Sequence, residues 1–197
     1  MFSVVHSRAG HHVKRQIRNV SKGALAGGFS REGLEEYAKG LWETDSDVIT
    51  DLSSRKVTLQ CSQWLEAHDD TSGELAKAYF GSKNFLPERV LISPFFLQQR
   101  HLPEFREKDR FLAWDVTLKA PLEVICSWDN GRFKGLTMMA FDPKLHRVYH
   151  GNSLCVNDQT SETLLFSFMN QFHARYAEYL LDGMSNTLEQ RAASTKS

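Results

Sequence analysis

The fold is decided by residues 112–154, which read LAWDVTLKAPLEVICSWDNGRFKGLTMMAFDPKLHRVYHGNSL. Apolar and polar residues alternate through most of this stretch, and a repeat of two residues is typical of strands that bury one face. Turn residues interrupt the alternation at Ala120-Pro121, Asp129–Arg132 and Asp142–Leu145. The sequence therefore predicts an antiparallel meander of four strands.

The turn Asp129-Asn130-Gly131-Arg132 is the strongest hairpin signal in the chain. Asn and Gly both tolerate positive φ, which the central residues of a two-residue hairpin loop require. Such a loop pairs Trp128 with Phe133. The pairing collects bulky apolar side chains on one face of the sheet, which we predict to be the buried face.

The next turn, residues 142–145, contains no glycine, although a three-residue hairpin loop usually needs one. A loop with an even number of residues is therefore favoured, and it places His150 opposite Thr137. His150 and Asn152 then point to the buried face. A loop with an odd number of residues would instead bury Tyr149 and expose the histidines to water.

A long C-terminal helix is predicted to cover the apolar face of the meander. Thr160 or Ser161 can cap it, and Gly183 is predicted to end it. Its apolar stripe follows helical spacing and contains Leu165, Phe168, Met169, Phe172, Tyr176, Tyr179 and Leu180. Residues 186–197 are mostly polar and are predicted to form a frayed tail.

The first half of the chain gives weaker signals. Apolar spacing predicts helices over residues 31–42 and 72–80. The alternation of Val57, Leu59 and Cys61 predicts a strand. Residues 85–103 contain three prolines, so we predict irregular structure there, with at most a short strand at 90–92.

Length and composition predict one domain, and the helices and strands predicted above make it an α+β domain over residues 31–185. Lys plus Arg and Asp plus Glu each total 24, so no overall field favours nucleic acid as a partner. The three cysteines lack metal-ligand spacing and are predicted to be reduced, buried thiols of an intracellular protein. No apolar run approaches the ~20 residues of a membrane span, so no integral membrane segment is expected.

Residues 1–30 contain no acidic residue but several basic ones. Apolar residues recur among the basic ones at helical spacing, a pattern typical of mitochondrial transit peptides. A flexible basic arm is the alternative, because the segment ends in a glycine-rich stretch. The expected location is therefore mitochondrial or cytoplasmic.

Few residues suggest a catalytic or ligand-binding role, and the sequence contains no catalytic, nucleotide-binding or metal-binding motif. Polar groups inside an apolar cavity can orient a ligand, which His150, Asn152 and Thr137 could do. A hydrogen-bonded core histidine is the alternative interpretation of His150. The carboxylates Asp115, Glu123 and Asp129 fall on the face opposite the tryptophans and are interpreted as solvent-face charges. The cluster Glu66–Asp70 is interpreted as a solvated turn, so no metal or cofactor is predicted.

The order of a strand, short helices, an antiparallel meander and a long helix resembles the START-like, polyketide-cyclase-like superfamily and its helix-grip fold. Residues 105–135, FREKDRFLAWDVTLKAPLEVICSWDNGRFKG, and residues 172–181, FHARYAEYLL, also look like an uncharacterised, mainly microbial domain family. The likeness covers roughly residues 47–183. It implies a curved antiparallel sheet of about five to seven strands on a C-terminal helix. A cone like that of nuclear transport factor 2 is the alternative.

The resemblance implies a cavity between the sheet and the C-terminal helix, where relatives hold lipids or other hydrophobic molecules. The first hypothesis is a noncatalytic binding or carrier domain for a small hydrophobic ligand. The predicted lining is Trp114, Trp128, Phe133, Thr137, Met139, His150, Asn152 and Phe172. A cyclase- or isomerase-like enzyme with His150 as acid/base is the second hypothesis, and an organellar interaction or assembly factor is the third.

Overall fold

The computed structural model describes residues 29–44, 48–92, 101–129, 131, 133–156 and 164–195, with side chains except at 91, 92, 156 and 164–173. The predicted basic arm, up to residue 28, and the predicted caps Thr160 and Ser161 lie outside the described residues. The helices are α1 (Arg31–Trp42), α2 (Leu59–Glu66), α3 (Thr71–Gly81), α4 (Leu86–Ile92) and α5 (Leu164–Ser194). The strands are β1 (Val48–Lys56), β2 (Arg110–Phe111), β3 (Trp114–Ala120), β4 (Glu123–Asp129), β5 (Phe133–Asp142) and β6 (Arg147–Val156).

The described strands form a six-stranded antiparallel sheet in the order β1-β6-β5-β4-β3-β2. The predicted meander forms β3 to β6, while β1 pairs with β6 at one edge and the short β2 pairs with β3 at the other. Helix α5 packs against the sheet, and α3 lies beside it. The prediction of an α+β fold, with an antiparallel sheet on a long C-terminal helix, is confirmed.

The pairing of the central strands differs from the prediction by two residues. Trp128 pairs with Gly135, two positions beyond its predicted partner. Thr137 pairs with Asn152, and His150 pairs with Met139. Because side chains alternate along a strand, a shift of two residues leaves every side chain on its predicted face. The predicted pairs are wrong, but the faces that they assign to His150 and Asn152 are correct.

The observed pairing brings Trp128 onto a glycine. A Cβ atom at Gly135 would lie 2.0 Å from Cε2 of the Trp128 ring. The indole therefore occupies the space that a side chain at residue 135 would need. A close approach of this kind is a common reason for glycine inside a strand.

The prediction that the closing helix ends at Gly183 is wrong. Helix α5 continues to Ser194, through most of the predicted frayed tail, and Leu188 and Ala192 are buried. Gly183 instead permits close packing, because a Cβ atom there would lie 2.6 Å from Cβ of Asn84. Tyr179, predicted on the apolar stripe, is 47% exposed.

The strand predicted at Val57–Cys61 is also wrong. Thr58 caps α2 by accepting a hydrogen bond from the Cys61 N–H at 3.2 Å, and Leu59 is 60% exposed. Cys61 and Leu65, four residues apart, are buried positions of this helix. Three apolar positions are too few to separate a period of 2 from one of 3.6. The strand lies earlier, in β1.

The predicted helices are found, and the short strand predicted at 90–92 is not. Ser30 caps α1 by accepting a hydrogen bond from the Gly33 N–H at 3.0 Å. Helix α3 extends the predicted 72–80 by one residue at each end. Residues 90–92 end α4, and Pro87 lies in its first turn, where a missing N–H removes no helical hydrogen bond.

Both faces of the sheet are covered by helices. One face packs against α3 and α5 in a core that includes Phe80, Met139 and Met184. The other face packs under α1 in a second core, which consists of Leu34, Tyr37, Ala38, Val48, Leu118, Ile125, Leu136, Met138, Ala140 and Cys155. The second face was predicted to face solvent, and this is wrong for Glu123, which is 3% exposed. Asp115 and Asp129 keep substantial exposure.

Candidate functional site

Four buried polar side chains lie together on the face of the sheet that packs against α5. His150 and Asn152 come from β6, Thr137 comes from β5, and Tyr79 comes from α3. Their exposed fractions are 0%, 8%, 4% and 2% in that order. We call these four side chains the His150 network.

Hydrogen bonds join Thr137, Asn152, His150 and the Ala177 carbonyl group in that order, and each group donates to the next or accepts from the one before. The Thr137 hydroxyl donates to Oδ1 of Asn152 at 3.1 Å. Nδ2 of Asn152 lies 3.3 Å from Nε2 of His150, and Nδ1 of His150 lies 3.1 Å from the Ala177 carbonyl oxygen of α5. Because a carbonyl can only accept, Nδ1 carries the proton and Nε2 accepts from the amide. This arrangement fits a neutral imidazole with both ring nitrogens engaged.

Tyr79 packs against both the Thr137 side and the His150 side of the network. Burial raises the pKa of Tyr79 well above its usual value, whereas its side-chain hydrogen bond with Thr137 acts in the opposite direction. The Tyr79 ring contacts the imidazole of His150, with centroids 4.9 Å apart. The buried phenol therefore stays protonated.

The structure brings together only part of the predicted lining. Thr137, Met139, His150 and Asn152 are neighbours on β5 and β6. Trp114 lies apart from them, against Phe80 and Phe85 with ring centroids 5.6 and 5.4 Å away, and its buried Nε1 has no hydrogen-bond partner among the described residues. Trp128 and Phe133 are half-buried near the β4–β5 turn. Phe172 belongs to α5, and its side chain lies outside the described residues.

A second candidate site lies on the opposite face, under α1. Glu123, at the start of β4, is almost fully buried, and its Oε2 has no hydrogen-bond partner in the described part of the chain. Burial raises the pKa of Glu123 to about 7. Glu123 also lines a space of about 10 Å³. We call it the Glu123 pocket; it is lined by Phe29, Ser30, Gly33, Leu34, Tyr37, Glu123, Ile125 and Met138.

A third cavity is an open groove of about 370 Å³ at the C-terminal end of α1. It is lined by Leu41, Trp42, Glu43, Asp115, Ser127, Trp128, Asp129 and Lys134. Asp115 forms an ion pair with Arg110 at 3.6 Å. The groove therefore combines charged side chains with two tryptophans, Trp42 and Trp128.

The sequence interpretation missed Tyr79 and assigned Glu123 to a solvent face, although Glu123 is buried. Tyr79 carries no local signal, because its contacts with β5 and β6 arise from packing of α3. Glu123 had a signal in Val124, Ile125 and Cys126, a run of consecutive apolar residues. Such a run indicates a strand that is buried on both faces, and therefore that a flanking carboxylate is not on a solvent face.

No group of three or more His, Cys, Asp or Glu side chains in the described part of the chain is placed to hold a metal ion. Asp70 of the acidic turn caps α3 and forms an ion pair with Lys119 at 2.8 Å. None of the described helices is long and apolar enough to cross a membrane.

Two solved structures are similar to this chain at low identity. An uncharacterised protein from Rhizobium leguminosarum is 12% identical, with a TM-score of 0.38 over 74% of this chain and 97% of the other. A protein from Thermus thermophilus is 11% identical, with a TM-score of 0.31 over 72% of this chain and 97% of the other. No family model matches the chain, and no curated protein matches it. These similarities carry no functional assignment.

Proposed function

We propose that this chain is a noncatalytic binding domain for a small hydrophobic ligand, held between the sheet and the first turns of α5. The observation that carries the proposal is the His150 network, a hydrogen-bonded polar chain inside an otherwise apolar core. Buried polar groups cost free energy unless they are bonded, and binding sites use a few of them to orient apolar ligands. Asn152 has the largest exposed fraction of the network, 8%, so we expect it to contact the ligand.

The direction of α5 supports this location. Ala177 lies over His150, and Asp182 forms an ion pair with Arg55 of β1, which pairs with Val148. The helix therefore runs along β6 in the opposite direction to the strand. We expect its earlier turns to lead towards Asn152 and towards Trp128 and Phe133, which are half-buried near the β4–β5 turn.

The contacts of His150 favour binding over catalysis. A general acid or base must reach the proton that it transfers, but Nδ1 of His150 donates to Ala177 and Nε2 faces Asn152. The side chain is also fully buried. The cyclase- or isomerase-like alternative is therefore not favoured by this geometry, and no contact of the described residues favours the interaction-factor alternative.

The test is native mass spectrometry of the purified full chain, followed by solvent extraction and identification of any bound molecule. We expect a defined hydrophobic adduct on the wild-type chain. The variant Thr137→Val keeps the side-chain shape, leaves the Asn152 carbonyl without its donor and is expected to lose most of the adduct.

Thr50→Val is the matched control. The Thr50 hydroxyl is buried and bonds Ser153 at 3.0 Å, outside the His150 network. Thr50→Val should therefore keep the adduct while losing a comparable hydrogen bond. A bare mass for the wild-type chain from several expression hosts, or equal retention by both variants, would count against the proposal.

A further inference from the structure

A group of hydrogen-bond donors lies at the edge of the sheet, where β1 pairs with β6. Lys56 is paired with Arg147, and Ser54 is paired with Tyr149. Directly opposite side chains of an antiparallel pair share a face, with Cβ atoms about 4.5–5.5 Å apart, and residues two apart on one strand share it too. This face is the one under α1, because Leu52 of β1 packs against the core there. We call Ser54, Lys56 and Arg147 the edge cluster.

The edge cluster places two positive charges opposite each other. Like charges at directly opposite positions of two strands destabilise the pair. Among the described residues, neither Lys56 nor Arg147 forms an ion pair with a carboxylate. An anion bound to both side chains would remove this repulsion.

The guanidinium group of Arg147 is directed towards β1. Its Nη1 donates to Oγ of Ser54 at 2.8 Å. On the other side Arg147 is paired with Asp142 of β5, but that carboxylate accepts from two backbone N–H groups of the β5–β6 turn at 2.9 and 3.2 Å. Because a hydroxyl oxygen that accepts a hydrogen bond still carries its own proton, Ser54 can donate to a ligand beside Arg147.

We propose that the edge cluster binds a phosphomonoester group, with Arg147 and Lys56 as its counter-charges and the Ser54 hydroxyl as a further donor. A phosphomonoester carries about −1.5 to −2 charges at pH 7, which suits two cations better than the single charge of a carboxylate. A planar guanidinium can bind two phosphate oxygens at once, and an ammonium acts as a point charge. The site does not rest on the function proposed above.

The exposure of the edge cluster limits its affinity. Ser54 and Lys56 are exposed and Arg147 is half-buried, so water and salt screen the attraction. The neighbouring Arg55 forms an ion pair with Asp182 of α5 and points to the other face, so it does not add to the cluster. We therefore expect weak binding that weakens further as the ionic strength rises.

The test is a titration of the full chain with sn-glycerol 3-phosphate at pH 7.5, above the second pKa of a phosphomonoester, which is about 6. NMR of the backbone amides and of the arginine Nε–H groups follows binding, and sodium chloride at equal ionic strength is the reference. We expect saturable shifts at residues 54–56 and 147, with little change at Leu188 in the core. Equal shifts with chloride, or no saturable shift, would overturn the proposal.

Three variants separate the cluster from the overall charge. Lys56→Gln and Arg147→Gln should each weaken the binding of sn-glycerol 3-phosphate about fivefold. Lys83→Gln removes the same charge at an exposed site next to α4 and should leave the affinity unchanged. Circular dichroism verifies that each variant is folded. If Lys83→Gln weakens binding as much as Lys56→Gln does, net charge explains the attraction and the proposal is wrong.

The phosphomonoester can belong to a free small molecule or to the headgroup of a phospholipid. Cosedimentation with vesicles of an equimolar mixture of phosphatidylcholine and phosphatidic acid distinguishes these sources, with pure phosphatidylcholine as the control. Cosedimentation that Lys56→Gln reduces would assign the site to a lipid headgroup. Binding of sn-glycerol 3-phosphate without cosedimentation would assign it to a free ligand, and binding of neither would overturn the proposal.

Discussion

Replacing Glu123 by glutamine should change how the stability of the protein depends on pH. Glutamine has nearly the shape of a protonated glutamic acid and does not titrate. The pKa of Glu123 is raised from 4.5 to about 7 in the folded chain, and one pH unit of such a difference corresponds to ~1.4 kcal/mol. The ionised side chain should therefore cost the folded state about 3 kcal/mol above pH 7, by linkage.

Whether the free energy of unfolding rises or falls with pH depends on which state, folded or unfolded, keeps the proton of Glu123. Below pH 4.5 the group is protonated in both states, and Glu123 imposes no charge penalty. Between pH 4.5 and about 7 the unfolded chain has lost the proton while the folded chain keeps it, so the wild type loses stability progressively over this range, and the loss is complete above about pH 7. Glu123→Gln should escape this loss and gain about 3 kcal/mol relative to the wild type between acidic and alkaline pH.

Urea unfolding of both proteins across this pH range measures the difference directly. Other carboxyl groups titrate equally in the two proteins, so their contributions cancel in the comparison. Glu36→Gln, at an exposed site on α1, should follow the wild type at every pH. A difference between Glu123→Gln and the wild type that stays constant with pH would refute the assignment of a buried, charge-penalised carboxyl group.

Two further predictions concern packing. Gly135→Ala would place a methyl group where the Trp128 ring lies; overpacking should cost about 1–3 kcal/mol and change the tryptophan fluorescence, and an unchanged melting temperature and spectrum would contradict the contact. Leu188→Ala should cost about 2–5 kcal/mol in urea unfolding because Leu188 is fully buried in α5. The control Leu59→Ala, at a 60% exposed position, should have little effect, and equal losses would mean that the end of α5 is not packed.

The meander could be predicted from the sequence because its signal is local. Alternating side chains and two turns were enough to assign His150 and Asn152 to the face that packs against α5. The pairing itself was wrong by two residues, because the loop length at each turn was inferred from turn residues alone. That error did not change the faces, since a strand repeats every two residues.

The candidate sites could be predicted only in part. Thr137, Met139, His150 and Asn152 were grouped correctly, because neighbouring strands bring them together. Tyr79 joins them through the packing of α3, and Trp114 is drawn away by contacts with Phe80 and Phe85. These contacts join residues far apart in the chain, which leave no periodic trace in the sequence.

The covalent chain and its side-chain periodicity determine which residues of a strand share a face, and the caps of α1 and α3 are equally local. The tertiary structure alone decided what covers each face. Helix α1 turned the expected solvent face into a second core and buried Glu123, while Asn84 gave Gly183 a packing role inside a continuing helix. The physical reason is that burial depends on which distant element packs against a residue, whereas periodicity depends only on backbone geometry.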